Sequence, residues 1–386
     1  MKLTKSLCVI FIFIALISFS GCSKKELNYT VSEADGIKTY HNKNIPSDPN
    51  FKISPKELFT IHGYDESAQD TLRNFTFVRS TVVDSKGNIF ILDQKKAEIK
   101  KFDKNGIFIK SFCKLGSGPG ELQGGAALLC LNDTLSLMDV TIEKFSKFTT
   151  NGDFLESFVV EGFNVPQFVT PVGTKYFISD HMGYSQSEDG LTISFDLQIR
   201  DSKFRLIKSL KKDYGKYIGA NTIIHDYVHP FCIGKKNIYV AKISDNEYSI
   251  DVFDFNGKLL YKIKKDFRKI VITKDELKEF GDAQNLTHGV NENYDYKVNY
   301  KKAVNAMGIF EDKNGNLLVQ IPQDRNENNK YDFIVDAFKD GVFINSFKMD
   351  IGRGFDFYNS SHQRFFIGSR IYYQNRDDNF VTVYEY

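Results

Sequence analysis

One pattern, a pair of β-hairpins, recurs along most of the chain, and it constrains the fold more than any other feature. In Val82-Val83-Asp84-Ser85-Lys86-Gly87-Asn88-Ile89-Phe90-Ile91-Leu92-Asp93, two apolar runs flank a Gly turn, which reads as a hairpin. Ile99-Lys100-Lys101-Phe102-Asp103-Lys104-Asn105-Gly106-Ile107-Phe108-Ile109 reads as a second, with the Asn-Gly step that favours tight hairpin turns. Gly87 and Gly106 are 19 residues apart, and so are Asp133 and Gly152 in the next copy. Further copies run from Val172 to Phe204, from Gly234 to Leu259 and from Glu311 to Phe343, and a last one runs from Phe366 to Tyr386. Each copy supplies four short strands, one blade of a propeller. The expected fold is therefore all-β, a six-bladed β-propeller of four-stranded antiparallel blades. Residues 75–386 give 52 residues per unit. The sixth unit ends after its third strand. An open edge there would be a liability, and Glu57-Leu58-Phe59-Thr60-Ile61-His62 is the strand expected to close the ring.

One segment breaks the rhythm. Thr273-Lys274-Asp275-Glu276 reads as a helix start, with Thr273 as N-cap and Glu276 three residues later. Residues 268–303 are thus expected to be a helical or irregular insertion between blades 4 and 5. It is read as a solvated face, or as a lid over one end of the ring.

The N-terminus reads as an address. A basic head, Met1 to Lys5, precedes an apolar run from Leu7 to Phe19, too short to span a bilayer and suited to a signal peptide. The run ends Ser18-Phe19-Ser20-Gly21-Cys22, which resembles the bacterial lipobox, with Phe19 where an aliphatic residue is usual. That resemblance implies cleavage after residue 21 and acylation of Cys22, hence a membrane anchor. Ser23 after the Cys implies sorting to the outer membrane, on its periplasmic side or at the cell surface. Residues 22–50 are expected to be a tether and 51–386 the propeller. The remaining Cys113, Cys130 and Cys232 are odd in number, which argues against a disulfide framework and for buried thiols. Removing Lys2 and Lys5 with the signal leaves 49 bases against 49 acids, so the mature chain is formally neutral. It lacks the basic surface of a nucleic-acid binder.

Ile89-Phe90-Ile91-Leu92-Asp93, Ile99-Lys100-Lys101-Phe102-Asp103 and Gly116-Ser117-Gly118-Pro119-Gly120-Glu121 together resemble the six-bladed β-propeller lipoproteins related to NHL repeats. The resemblance is strongest over residues 75–125. It implies the fold and the location, and it brings no catalytic residue. Gly116, Gly118, Pro119 and Gly120 are read as a structural turn between blades. A phosphate cradle would need a helix after the glycines, and no Walker Lys-Ser/Thr follows.

The loops joining second to third strands at one mouth of the ring are where a propeller is expected to bind. They offer Asp93, Asp139, Asp180, His181, Tyr184, Asp245, Asp324, Arg325 and Arg376, a polar set suited to a glycan, peptide or protein partner. Asp324-Arg325-Asn326-Glu327-Asn328-Asn329-Lys330 echoes a calcium loop, but Asn329 and Val335 stand where an EF-hand needs Gly and Glu, leaving only a looser calcium site open. His225 and His229 are four apart, as in helical zinc sites, yet they lie in a loop that enters a strand and have no evident third ligand. No Gly-x-Ser-x-Gly or His-Glu-x-x-His occurs. The expectation is a membrane-anchored, non-catalytic binding propeller. The alternatives are a hydrolase or lyase with calcium at the ring centre, as related propeller enzymes imply, and a structural subunit of a membrane complex.

Overall fold

Several of the hairpins are built by one local device. Asp84 Oδ1 accepts hydrogen bonds from the backbone N–H of Lys86 (3.0 Å) and Asn88 (2.8 Å). Asp103 does the same for Asn105 and Ile107, both at 2.8 Å. Asp254 does so for Asn256 and Lys258, and Asp312 for Asn314 and Asn316. The residue three after each aspartate must then take a positive φ, and Gly87 (84°), Gly106 (81°), Gly257 (74°) and Gly315 (74°) supply it without a Cβ penalty. Phe204 occupies the matching place after Asp201 with φ 63°, held there by burial against Phe145 and Phe177.

The computed structural model describes residues 27–64, 71–139, 141–160, 166–188, 190–217, 228–288, 298–305, 307–328, 330–352 and 362–386. Blade 1 comprises the strands Val78–Val83, Ile89–Asp93, Glu98–Phe102 and Phe108–Phe112. Blade 2 runs Gly125–Leu131, Thr134–Asp139, Lys144–Thr149 and Phe154–Val159. Blade 3 runs Pro166–Val172, Tyr176–Ser187, Gly190–Asp201 and Leu206–Lys216. Blade 4 has Phe231–Ile233, Ile238–Ala241, Ser249–Phe253 and Leu259–Lys265, and blade 5 has Ile309–Glu311, Leu317–Gln320, Ile334–Lys339 and Val342–Lys348. In blade 6, His362–Ile367, Arg370–Asn375 and Phe380–Glu385 are joined by Lys56–His62, which pairs antiparallel with Phe380–Glu385. The expected closing strand is thus in place. Asn379 fastens the seam: its Nδ2 donates to Phe75 O (2.6 Å) and its Oδ1 accepts from Val78 N (2.9 Å).

The core is divided among the blade interfaces, an apolar cluster at each, with a further small one of Ile193, Phe195 and Val228 beside blade 3. Ile89 and Ile91 face blade 6 with Ile61, Val381 and Val383, while Phe90 and Leu92 face blade 2 with Leu135 and Leu137. A strand covered on both faces reads as a continuous apolar run, which is why Ile89-Phe90-Ile91-Leu92 shows no alternation. Phenylalanine fills these seams: Phe145 stacks on Phe158 (5.4 Å) and Phe204 (5.8 Å). Cys113, Cys130 and Cys232 are free, and burial pushes the Cys130 thiol up to about 12. Cys113 lies just beyond a strand, not within one, with φ 71°.

The segment read as a tether is largely structured. Tyr29–Ala34 and Ile37–Asn42 form a hairpin about Asp35 and Gly36, and Ile37–Asn42 adds in parallel to Leu259–Lys265, giving blade 4 six strands. The buried Asn42 then bonds blades 4 and 5: Nδ2 donates to Lys264 O (3.1 Å) and Gly341 O (2.9 Å), and Oδ1 accepts from Phe343 N (2.8 Å). The outer edge of blade 4 offers open backbone groups, and the hairpin satisfies them. Cys22 lies outside the described residues.

Candidate ligand site in the central channel

The first strand of each blade pairs with the second and turns its other edge inward, so six strand edges enclose a channel. Its cavity of about 500 Å³ is lined by residues from every blade, among them Thr81, Leu128, Thr170, Phe231, Ile309 and Gln363. Inner strand edges carry backbone N–H and C=O groups without strand partners, so such a channel offers hydrogen bonds along its length. Ser80 spans two blades near one end, donating to Leu128 O at 3.2 Å. Where the first strands end, the channel carries Glu311, whose carboxylate accepts from Lys235 N (2.7 Å) and Tyr239 Oη (3.2 Å). Where the first strands begin, it carries Arg79 and Arg376.

Arg376 is the predicted site residue that reaches this mouth with its head group. Its Nη2 donates to Arg79 O (2.7 Å) and Gln363 Oε1 (3.1 Å), both neutral acceptors, and its buried Nε has none. Burial, and then the neighbouring Arg79 charge, hold the guanidinium down to about 10, and burial lowers Arg79 as well. Gln374 continues the network, accepting from Thr81 Oγ1 (2.8 Å) across the seam between blades 6 and 1.

The predicted aspartates do other work. Asp93, fully buried, accepts from Thr76 N (2.8 Å) and Phe77 N (3.2 Å). Asp139, equally buried, accepts from Gln123 N (2.6 Å), Gly124 N (3.1 Å) and Thr141 N (3.0 Å). Each ties the chain entering a blade to the end of that blade's second strand, and its lone pairs are taken up there. Asp180, His181 and Tyr184 lie in the long strand Tyr176–Ser187, not in a loop. His181 Nε2 is 2.7 Å from Ser179 Oγ, and the exposed Tyr184 packs edge-on against Tyr217. Asp245 accepts from Asn246 Nδ2 in the loop of blade 4.

His229 lines the channel where blade 4 begins, and His225 lies outside the described residues. The His229 amide donates to Asp180 Oδ2 (2.8 Å), its Nδ1 is 3.2 Å from Asp180 Oδ1 and its Nε2 is 3.2 Å from Asp213 Oδ2. Burial pulls the imidazole down, but hydrogen bonds and charge from Asp180 and Asp213 outweigh it and raise its pKa. Both ring nitrogens are engaged by carboxylates, which ties the imidazole to Asp180 and Asp213. It clips blade 3 to blade 4.

Asp324 and Arg325 belong to the docking of the insertion. The helix Lys274–His288 starts with the expected capping box: Thr273 N donates to Glu276 Oε2 (2.8 Å) and Glu276 N to Thr273 Oγ1 (3.2 Å). Glu276 also takes the buried Lys301 ammonium (2.6 Å) and the Tyr331 hydroxyl. Arg325 pairs with Glu279 and donates to Tyr331 Oη, and Asp324 accepts from Arg268 (2.7 Å). These contacts seat the insertion on blade 5, and none of its described residues lines the channel. In the loop that echoes a calcium site, Asn326 Oδ1 accepts from Asn328 N and Lys330 N, both at 3.0 Å. Among the described residues no group of three His, Cys, Asp or Glu side chains is arranged to hold a metal ion.

The run from Gly116 to Gly120 is the crossover between blades 1 and 2. Lys114–Leu115 pairs in parallel with Glu121–Leu122, and Lys144 Nζ donates to Ser117 O (3.2 Å), Gly118 O (3.0 Å) and Glu121 O (3.0 Å). Gly120 takes φ 72°, and a strand follows, so the turn carries no helix N-terminus for phosphate.

No protein-family profile matches the chain, and no curated protein does. Solved structures with a similar course include a candidate exported protein from Bacteroides fragilis, 12% identical over 90% of this chain and 98% of that one, TM-score 0.46. A member of the duf4221 family from Bacteroides vulgatus is 12% identical over 86% and 97%, TM-score 0.44. A streptogramin B lyase is 9% identical over 85% and 96%, TM-score 0.42. Among the described residues no helix is long and apolar enough to cross a membrane.

Proposed function

We propose that this chain is an exported lipoprotein, anchored through Cys22 in the outer membrane, whose propeller binds a ligand at the central channel without transforming it. The ligand is a glycan, a peptide or an exposed segment of a protein partner. The observation that carries the reading is the channel: a closed ring of six blades around a cavity of about 500 Å³, wide enough for a small ligand or a chain end. The polar groups nearest catalysis in type, His229 with Asp180 and Asp213, are consumed by one another.

Two measurements test the reading. Mass spectrometry of the protein from membranes should find Cys22 acylated, and Cys22→Ser should release the protein into the soluble fraction. A panel of oligosaccharides and peptides should include ligands that bind the purified protein and are recovered unchanged. Turnover of any of them, abolished by substitutions lining the channel, would replace this reading with an enzyme. Calcium bound in stoichiometric amount and required for that turnover would make it the calcium-dependent hydrolase or lyase.

A further inference from the structure

The channel mouth at the seam between blades 6 and 1 holds a half-buried guanidinium without an ion-pair partner among the described residues. Arg376 has neutral acceptors on Nη2 and none on Nε, and no carboxylate lies within ion-pair distance of it among the described residues. Asp377, its chain neighbour, acts on it only through its field. Arg79 adds a second positive charge at the same mouth. Other carboxylates of blades 1, 3 and 6 are committed elsewhere: Asp93 to Thr76 and Phe77, Asp378 to Asn375, Asp180 to His229. Burying a cation without a counter-charge, and beside a like charge, is unfavourable unless something compensates it. If Arg376 served only to bridge Arg79 O and Gln363 across the seam, a neutral amide donor would do so without that penalty.

We propose that this mouth is an oxyanion site, in which a carboxylate or phosphate group of a small ligand binds the free edge of the Arg376 guanidinium beside Arg79. The remainder of the ligand then runs into the channel. An anion here relieves the repulsion between the two guanidiniums and gains charge-assisted hydrogen bonds in a partly desolvated setting. Gln363, held by Arg376 and Gln374, lies beside it and can donate to a further ligand oxygen. The inference rests on the channel being the ligand site and specifies the charge of what enters it.

The test uses the full chain purified in detergent, titrated calorimetrically with sodium phosphate and with sodium malonate at ionic strength matched by sodium chloride. Saturable binding of at least one is expected, and which of the two binds more tightly tells phosphate from carboxylate. Arg376→Gln and Arg79→Gln should each weaken that binding at least tenfold, the loss expected for one charge-assisted hydrogen bond. Arg376→Gln also cuts bonds across the ring seam, so Arg79→Gln, with circular dichroism and melting temperature unchanged, is the deciding variant. Arg376→Lys, which keeps the charge, should recover part of the affinity. The proposal is overturned if neither anion saturates the wild-type protein, or if Arg79→Gln binds as the wild type does. Binding of a neutral oligosaccharide in the channel, indifferent to both arginines, would sink the oxyanion site and leave the binding function standing. Turnover of a channel ligand would remove the non-catalytic reading, and the arginine variants would still decide the oxyanion site by affinity.

Discussion

Lys265 and Asp336 join blades 4 and 5 through a buried ion pair. The separation is 3.3 Å, with the side chains 4% and 0% exposed. Lys265 Nζ also donates to Asn44 Oδ1 and lies 4.4 Å from the centre of the Phe343 ring. Asp336 Oδ1 accepts from Ser346 Oγ, but Oδ2 has no hydrogen bond and relies on the lysine. Lys265→Met therefore strands a buried carboxylate, and the cost should be about 3–5 kcal/mol. Asp336→Leu leaves the ammonium with Asn44 and a ring face, which places it near the lower end, about 3 kcal/mol. Replacing both removes the stranded charge, so the double variant should cost about 2 kcal/mol or less. The two single costs sum to at least about 6 kcal/mol, so the cycle should show a coupling of roughly 4 kcal/mol. Urea unfolding followed by far-UV circular dichroism measures it, since the chain has no Trp to report by fluorescence. If the single costs add to the double within about 0.5 kcal/mol, the two charges do not act as a pair and the reasoning fails.

Other outcomes follow from the same geometry. Asp312→Ala removes the acceptor of the buried Asn316 N–H, of Asn316 Nδ2 and of the part-buried Asn314 N–H, and should cost about 2–3 kcal/mol in thermal unfolding. Asp103→Ala, in an exposed turn, should cost about 1 kcal/mol. His229 has a folded pKa above its unfolded value, so its contribution is complete below about pH 6.5 and is lost as pH rises through the folded pKa. Urea midpoints should therefore fall from weakly acidic to alkaline pH, and His229→Gln should flatten that fall. At the acid end Asp213, held low first by its bond to His229, acts in the opposite sense and loses its contribution as pH drops.

The ring was legible because its turns are chemically explicit. An Asp five residues before the incoming strand, with Gly between, defines a hairpin from sequence alone, and Asp84, Asp103, Asp254 and Asp312 mark hairpins in three blades. The closing strand was legible from a deficit, since a third strand ending in Tyr384 and Tyr386 needed a partner. The hairpin Tyr29–Ala34 with Ile37–Asn42 escaped, although Asp35-Gly36 is a turn signal with both residues at positive φ. Its strands are short and mostly exposed, and they lack the apolar runs that mark strands covered on both faces.

The candidate site was legible only in part, for a reason that lies in the fold. Acidic residues of the segments joining second to third strands were read as ligand groups because loops at a ring mouth are polar. In the ring, however, chain segments entering blades present backbone N–H groups that need acceptors, and Asp93, Asp139 and Asp180 supply them. A carboxylate that ends a second strand is thus more useful to the scaffold than to a ligand. Only a group of opposite character, a cation with donors to spare, is left over by that demand. Arg376 meets the condition, and it meets Arg79 because Lys56–His62 closes blade 6 against blade 1. The two arginines are 297 residues apart in the chain and share a mouth only once the last blade is complete. No local pattern reveals such a pair. The closure that shields the final edge completes the blade that carries Arg376 to the mouth it shares with Arg79.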